Sequence, residues 1–316
     1  MKYEFATRSN NVYMIDTKMF GFEHYNSAYL VKGKELAMID TGLPNQLEAV
    51  LVGIKSHGFS VSDISHIFCT HEHHDHCGNV AALVKMNPRT RVHAHPLCTE
   101  LLTDPASRDA GMIGKVPPEQ IARFGKMQPL PREKIEHLED GDVFDLGDDE
   151  RLKVHFASGH LPGGVIIFEE KFNGLFINDL VGNYFADADA FIMLTPHHSD
   201  IIKAQELLNK LMNMPIKTLF LGHFGINSNP QYVMKGAINF IQSLLDIGVQ
   251  CVKEGKPELI TPRVKAFRLA EAEKLKGVRS PEMYEFTRNE LVGHQAPAFA
   301  EYFLASQYAK GMKQKT

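Results

Sequence analysis

The chain has 316 residues, 44% hydrophobic and 23% charged, with 34 basic against 38 acidic side chains and a formal net charge of −4. At about 150 residues per domain that length suits two domains, or one large domain with an appendage. The mixture excludes a disordered or fibrous chain, the interspersed charges offer no footprint for nucleic acid, and no apolar run approaches the ~20 residues that span a bilayer. The first twenty residues lack the basic patch, apolar core and cleavage site of a signal peptide. The four cysteines, Cys69, Cys77, Cys98 and Cys251, show no CxxC spacing. A cytoplasmic protein with reduced thiols and no membrane association is therefore expected. The unusual count is 16 histidines, several of them clustered, which points to metal.

In chain order, Ala28 to Val31 and Leu36 to Ile39 are short apolar runs around a turn at Gly33, the pattern of a hairpin. Asp40-Thr41-Gly42 breaks the second run. Leu47, Val50, Leu51 and Ile54 recur at helical spacing. His66 to Cys69 reads as a buried strand, Cys77 to Met86 as a helix and Arg91 to His95 as another strand. The stretch from Thr103 to Pro129, irregular and rich in Pro, Gly and Met, suits either a lid or a surface insertion. Strand-like runs resume at Val143-Phe144, Lys153 to Ala157, Gly164 to Phe168 and Leu175 to Ile177. Ser199 is the expected N-cap of a helix presenting Ile201, Ala204, Leu208 and Leu211. Lys217 to Leu221 is then the final strand. Beyond residue 230 the signals are helical, with an apolar stripe at Val233, Ala237, Phe240, Ile241, Leu244 and Leu245 and a helix start at Ser280-Pro281-Glu282. The expected division is residues 1–229 as one domain and 230–316 as a helical region packing on the site face or on a partner subunit, the latter giving a homodimer.

The segment Thr70-His71-Glu72-His73-His74-Asp75-His76 directly follows a strand. His71, His73, Asp75 and His76 supply imidazole nitrogens and a carboxylate, the donors that catalytic zinc or iron accepts. His71 and His73 can point to one side of the loop and Asp75 and His76 to a second point, a spacing that suits two adjacent metals. Three later positions extend the set: His160 in the turn Ser158 to Gly164, Asp179 after Phe176-Ile177-Asn178, and His223 in Leu221-Gly222-His223-Phe224-Gly225. His74 falls out of the ligand alternation and is expected beside the site. His197 and His198 suit either the substrate pocket or a helix cap, and His93 and His95 read as structural. His24, Tyr25, Phe22 and Met19 suit either a pocket wall or an apolar loop on the core.

With Asp40-Thr41-Gly42, the HxHxDH box, the Ser-Gly-His turn, the Asn-Asp pair and the Gly-His turn in this order, residues 1 to 229 resemble the metallo-β-lactamase superfamily. The resemblance implies an α/β fold, an αββα sandwich with a C-terminal helical appendage. It implies His71, His73 and His160 as ligands of a first metal, Asp75, His76 and His223 as ligands of a second, and Asp179 as the bridge. Asp40 resembles the Asp that steadies the histidine box. A carboxylate at Asp179 sets the chain apart from antibiotic-hydrolysing members. The stretch Leu180 to Phe185 lacks the glycine- and cysteine-containing segment of glyoxalase II, and His73 stands where the flavodiiron branch differs. The resemblance points to the branch of glyoxalase II, lactonases and quorum-sensing-response thioesterases.

The function implied is hydrolysis of a small thioester, ester or lactone by a hydroxide held between two divalent metals. Zinc is the first expectation, with iron or manganese as alternatives, and Asp75 doubles as a proton acceptor. The alternatives are a mononuclear iron persulfide dioxygenase and a regulatory or binding protein that keeps a metal site. Tyr184, Phe185, Phe191, Met112, Phe124 and Met127 are candidate linings of an apolar pocket.

Overall fold

The structure is a computed structural model that describes residues 4–107, 122–192 and 199–306, apart from the side chain of His294. Met112, His197 and His198 therefore lie outside the described residues, as does most of the 103–129 insertion.

Seven strands form the first sheet in chain order: β1 (Arg8–Ser9), β2 (Val12–Asp16), β3 (Ser27–Lys32), β4 (Leu36–Ile39), β5 (Ile64–Cys69), β6 (Arg91–Ala94) and β7 (Ile135–His137). Pairing is antiparallel up to β4 and parallel from β4 to β7. Successive side chains point to opposite faces. Ile15, Ala28, Leu30, Leu36 and Met38 pack under helices α1 (Leu47–Ser56) and α3 (Val80–Met86), which contribute Val50, Ile54, Val80 and Leu83; between them lies the short helix α2 (His74–Cys77). The alternate residues, Met14, Tyr29, Val31, Ala37, Ile39 and Phe68, face a second sheet. There β8 (Val143–Gly147), β9 (Glu150–Phe156), β10 (Val165–Glu169), β11 (Gly174–Phe176), β14 (Thr218–Phe220) and β15 (Ile226–Asn227) contribute Leu152, Val154, Val165, Ile167, Phe176 and Phe220. Two mixed sheets face to face with helices outside are the expected fold class.

The runs read as strands at 28–31, 36–39, 66–69, 91–95 and 143 onward are strands. The helix expected from Cys77 to Met86 is instead two, broken at Gly78-Asn79, where a side chain on Gly78 would overlap the backbone of His74 and Gly42. Strand β2 was not expected: Val12-Tyr13-Met14-Ile15 is a short apolar run that closes on Asp16. The helix α5 (Ile201–Leu211), which follows the short helix α4 (Thr99–Thr103) in helix order, is capped by Asp200 and not Ser199; the Asp200 carboxylate accepts the Lys203 N–H at 3.0 Å.

Among the described residues, the chain up to Asn178 together with Pro215–Pro230 packs as one unit, and Asp179–Met214 with the chain from Gln231 onward packs as another. Within the second, strands β12 (Asn183–Phe185) and β13 (Ala190–Ile192) pair as a hairpin. Arg279 donates to the Asp187 carboxylate at 2.8 and 3.1 Å, and the Phe191 ring fills the space left by Gly236. The long helix α6 (Pro230–Lys253) is followed by α7 (Ile260–Glu273), α8 (Pro281–Phe286, capped by Ser280 as expected) and α9 (Val292–Ala305). Phe303 packs on Gly248, and the fully buried Arg268 donates to Gln295 at 3.2 Å. Phe191, Met127, Tyr184 and Phe185 are all buried. No helix among the described residues is long and apolar enough to cross a membrane.

One buried polar pair bears on stability. Glu150 accepts from the Asn11 amide, and Glu169 accepts the N–H groups of Phe172 and Gly174 at the β10–β11 turn. Both carboxyls are buried, and burial, then the Glu169 charge, pushes the Glu150 carboxyl up to about 8. Because the folded state holds this proton more tightly than the unfolded chain, stability is greatest below the ordinary value of 4.5 and is lost as pH rises toward 8. Glu150→Gln keeps a donor without the charge. Thermal melts from pH 5 to 8.5 are expected to show a falling midpoint for the wild type and a flatter profile for the variant.

Candidate metal centre

Parallel pairing places the carboxyl ends of β4 and β5 side by side, and β11 and β14, also parallel, do the same in the second sheet. Asp40 follows β4, His71 to His76 follow β5, Asp179 follows β11 and His223 follows β14. His160 lies in the turn joining β9 to β10, which Val165 ties to the end of β5 by donating its N–H to Thr70 O at 2.7 Å. Asp40, Asn178 and Phe224 all take the left-handed backbone conformation, with φ of 58°, 47° and 74°. Asp and Asn tolerate that region, whereas Phe224 there is strained.

The donors fall into two groups. One ligand atom from each of His71, His73, His160 and Asp179 lies within 4.8 Å of the others, and the same holds for Asp75, His76 and His223. These are the seven residues singled out from the sequence. In the first group, Nδ1 of His73 faces Nε2 of His71 at 3.1 Å and Nε2 of His160 at 3.2 Å. In the second, the Asp75 carboxylate lies 3.4 Å from His76 Nε2 and 3.7 Å from His223 Nε2. Two nitrogens on a tetrahedral zinc with bonds of about 2.05 Å stand about 3.3 Å apart. Three imidazole nitrogens turned toward one point repel one another unless a cation sits there, so the donor set fits a metal in chemistry and in spacing.

Asp40, only 3% exposed, sets the orientation of both groups. Its Oδ1 accepts the Thr70 N–H at 2.8 Å; its Oδ2 accepts the Thr70 hydroxyl at 2.8 Å and His76 Nδ1–H at 2.8 Å. The Thr70 hydroxyl, its proton given to Asp40, accepts Nδ1–H of His71 at 3.1 Å. One carboxylate thus fixes the tautomers of His71 and His76 and turns the Nε2 lone pair of each toward its own group. Burial alone would raise the Asp75 carboxyl, but His76, His223 and His73 outweigh it and hold it well below the ordinary range, so Asp75 is an anion.

Several supports were not evident in the sequence. Tyr29 of β3 bonds through its hydroxyl to Leu221 O at 2.7 Å and Gly225 O at 2.9 Å, fastening the His223 loop. The Glu72 carboxylate packs against Gly163, where any side chain would overlap it. Tyr25, 1% exposed, lies 5.8 Å from the His223 ring, so it packs into the core beside the site; Met19 is buried as well. His74 is buried with its ring 6.0 Å from Phe124, which in turn meets Phe20 edge-on at 5.6 Å. Cys77 is buried, donates to His71 O at 2.9 Å, and has its thiol pushed up by Cys69 and by burial. The signal that could have found Tyr29 is its place among the inter-sheet residues of β3.

The sequence profile of the Metallo-beta-lactamase superfamily matches residues 21–223, and the chain belongs to that superfamily. An uncharacterized protein of Aquifex aeolicus is 32% identical over 151 residues, 48% of this chain and 61% of its own. The chain spans between 25% and 61% of the length of three curated relatives it matches. Among solved structures, an archaeal metallo-beta-lactamase superfamily protein from Sulfolobus tokodaii matches at a TM-score of 0.60 and 21% identity, over 75% of this chain and 87% of its own. A metallo-beta-lactamase family protein from Thermus thermophilus matches at 0.60 and 18% identity, over 92% of each chain. These structures share the fold. Superfamily membership together with the two donor groups supports a metal-dependent hydrolase in general terms.

Two outcomes are expected. Asp40→Asn removes the acceptor that orients both histidines and is expected to lower the affinity of both metal positions by about 10–100-fold, read by metal analysis after dialysis. Tyr29→Phe leaves two buried carbonyls of the His223 loop without their hydroxyl and is expected to cost about 1–3 kcal/mol in chemical unfolding.

Proposed function

We propose that this protein hydrolyses a small thioester, ester or lactone at two divalent metal ions, with His71, His73 and His160 holding one, Asp75, His76 and His223 the other, and Asp179 bridging them. The observation that carries this reading is the pair of donor groups oriented through a single buried carboxylate. When bound, two such ions would supply a water of lowered pKa and an electrophile for the carbonyl oxygen. Zinc suits imidazole and carboxylate donors first, and iron or manganese second.

The chain's own residues do the remaining work. His71 and His76 donate from Nδ1 to Thr70 and Asp40, which leaves Nε2 of each facing its donor group. Asp75 remains ionised, so it can serve as a ligand and, in turnover, receive a proton. A thiolate nucleophile is not on offer, because Cys69, Cys77, Cys98 and Cys251 are all buried. Phe20, Phe124 and His74 give the rim of the box an aromatic character that suits an acyl chain or aryl group.

The test is turnover of a panel of aryl and acyl thioesters, esters and lactones by the metal-loaded protein. Activity is expected to vanish with chelator and to fall in His71→Ala by more than the about 10–100-fold typical of losing an orienting partner. Elemental analysis is expected to find two metals per chain, with Asp179→Ala losing the second more readily. A metal-loaded protein that ignores the whole panel yet consumes O₂ with a persulfide would replace this reading with the iron dioxygenase.

A further inference from the structure

Five polar side chains away from the donor groups form a line across the first sheet. Glu35 precedes β4, His66 is on β5, Arg91 and His93 are on β6 and Glu136 is on β7. His66 Nδ1 lies 2.9 Å from His93 Nε2. Two groups compete for His66 Nε2: the Glu35 carboxylate at 2.7 Å and the Arg91 guanidinium at 2.8 Å. His93 Nδ1 lies 3.3 Å from the Glu136 carboxylate. The imidazoles are 4% and 1% exposed, whereas Glu35, Arg91 and Glu136 are about half-exposed. The rings of Phe68 and Phe144 pack on His93 at 4.6 Å each.

We propose that these residues form a two-way tautomeric relay whose direction is set by whether Arg91 or Glu35 holds His66 Nε2. Arg91 can only donate, and an ionised Glu35 can only accept, so the same nitrogen cannot satisfy both. With Arg91 engaged, His66 Nε2 is the acceptor. Its proton is then on Nδ1 and is donated to His93 Nε2, and the His93 proton is on Nδ1, facing Glu136. With Glu35 engaged and no proton added, every bond reverses. His66 donates from Nε2 to Glu35, His93 donates from Nε2 to His66, and the bare His93 Nδ1 is left facing the Glu136 carboxylate. Two neutral imidazoles carry two protons, and the first arrangement places both of them usefully while Arg91 supplies the third bond.

A third state follows on acidification. One added proton fills the contact with Glu35, the contact between the rings and the contact with Glu136 together, and Arg91 gives up its place. Among the described residues the charged groups facing the imidazoles are Glu35, Arg91 and Glu136, and β8 presents the Phe144 ring. Burial, then the neighbouring His66 and Arg91, pushes His93 down to about 3, and burial lowers His66 as well. Near neutral pH the pair is therefore neutral, and of the two neutral arrangements the Arg91-held one is taken as the resting one because it fills all three contacts. Acid exchanges an arginine clasp between β5 and β6 for a carboxylate clasp between β5 and the start of β4. Because Asp40 directly follows β4 and Thr70 directly follows β5, the relay involves the two strands that position the donors.

The test is the tautomer of each imidazole, read by long-range ¹H–¹⁵N correlation on the full-length protein labelled with ¹⁵N-histidine, with His66→Gln and His93→Gln used for assignment. At pH 7.5 the wild type is expected to carry the proton on Nδ1 of both His66 and His93. Arg91→Ala, which truncates a half-exposed side chain, is expected to move both protons to Nε2. In the unmodified protein, lowering the pH is expected to shift both imidazoles in one concerted step. Unchanged tautomers in Arg91→Ala, an imidazolium at pH 7.5, or two independent titrations would each overturn the relay.

Discussion

The site depends on one buried carboxylate. Asp40 accepts three hydrogen bonds within a left-handed turn, two from Thr70 and one from His76. Each of those bonds settles something else. The Thr70 N–H fixes the end of β5 against the end of β4. The Thr70 hydroxyl, with its proton committed, can only accept from His71. The bond to His76 leaves that imidazole's other nitrogen for its neighbours. Without this anchor the histidine box would be a flexible polar loop with as many arrangements as it has tautomers.

That anchor works because the sheets deliver the donors to one edge. Parallel strands end on the same side, and each sheet contains a parallel pair whose carboxyl ends carry site residues. Loops outside the carboxyl ends of such strands are where open α/β sheets generally place their chemistry. The remaining donor, His160, comes from an antiparallel turn, and the hydrogen bond from Val165 to Thr70 O ties that turn to the box. Tyr29 performs the matching task for the His223 loop.

Several polar groups are buried at these sheets and find partners there. Tyr29 satisfies loop carbonyls, Glu169 satisfies the turn amides, and His66 and His93 satisfy each other. An unpaired polar group there would cost about 1–3 kcal/mol, so these positions constrain the packing more sharply than the aliphatic residues around them. The Glu150–Glu169 pair is the exception in sign, since its comfort depends on keeping a proton.

The residue types and spacing of the sequence were enough to single out the seven donors, because a metal needs a small set of side chains whose identity is visible without a structure. Strands such as β3 and β5 were legible for a similar local reason: each is buried on both faces and so reads as a short, nearly continuous apolar run. The superfamily resemblance rested on the same local signals. The fold's other choices were not local. Strand β2 is four apolar residues ended by Asp16, too short a run to declare itself, and its pairing with β1 and β3 makes it a strand. The cap at Asp200 displaced Ser199 because the neighbouring carboxylate reaches the Lys203 amide. The roles of Tyr29, Glu150 and the His66–His93 pair depend on strand register, which brings residues 27 to 196 positions apart into contact. Contacts of that kind are decided by the whole sheet's pairing, and no short window of sequence contains them.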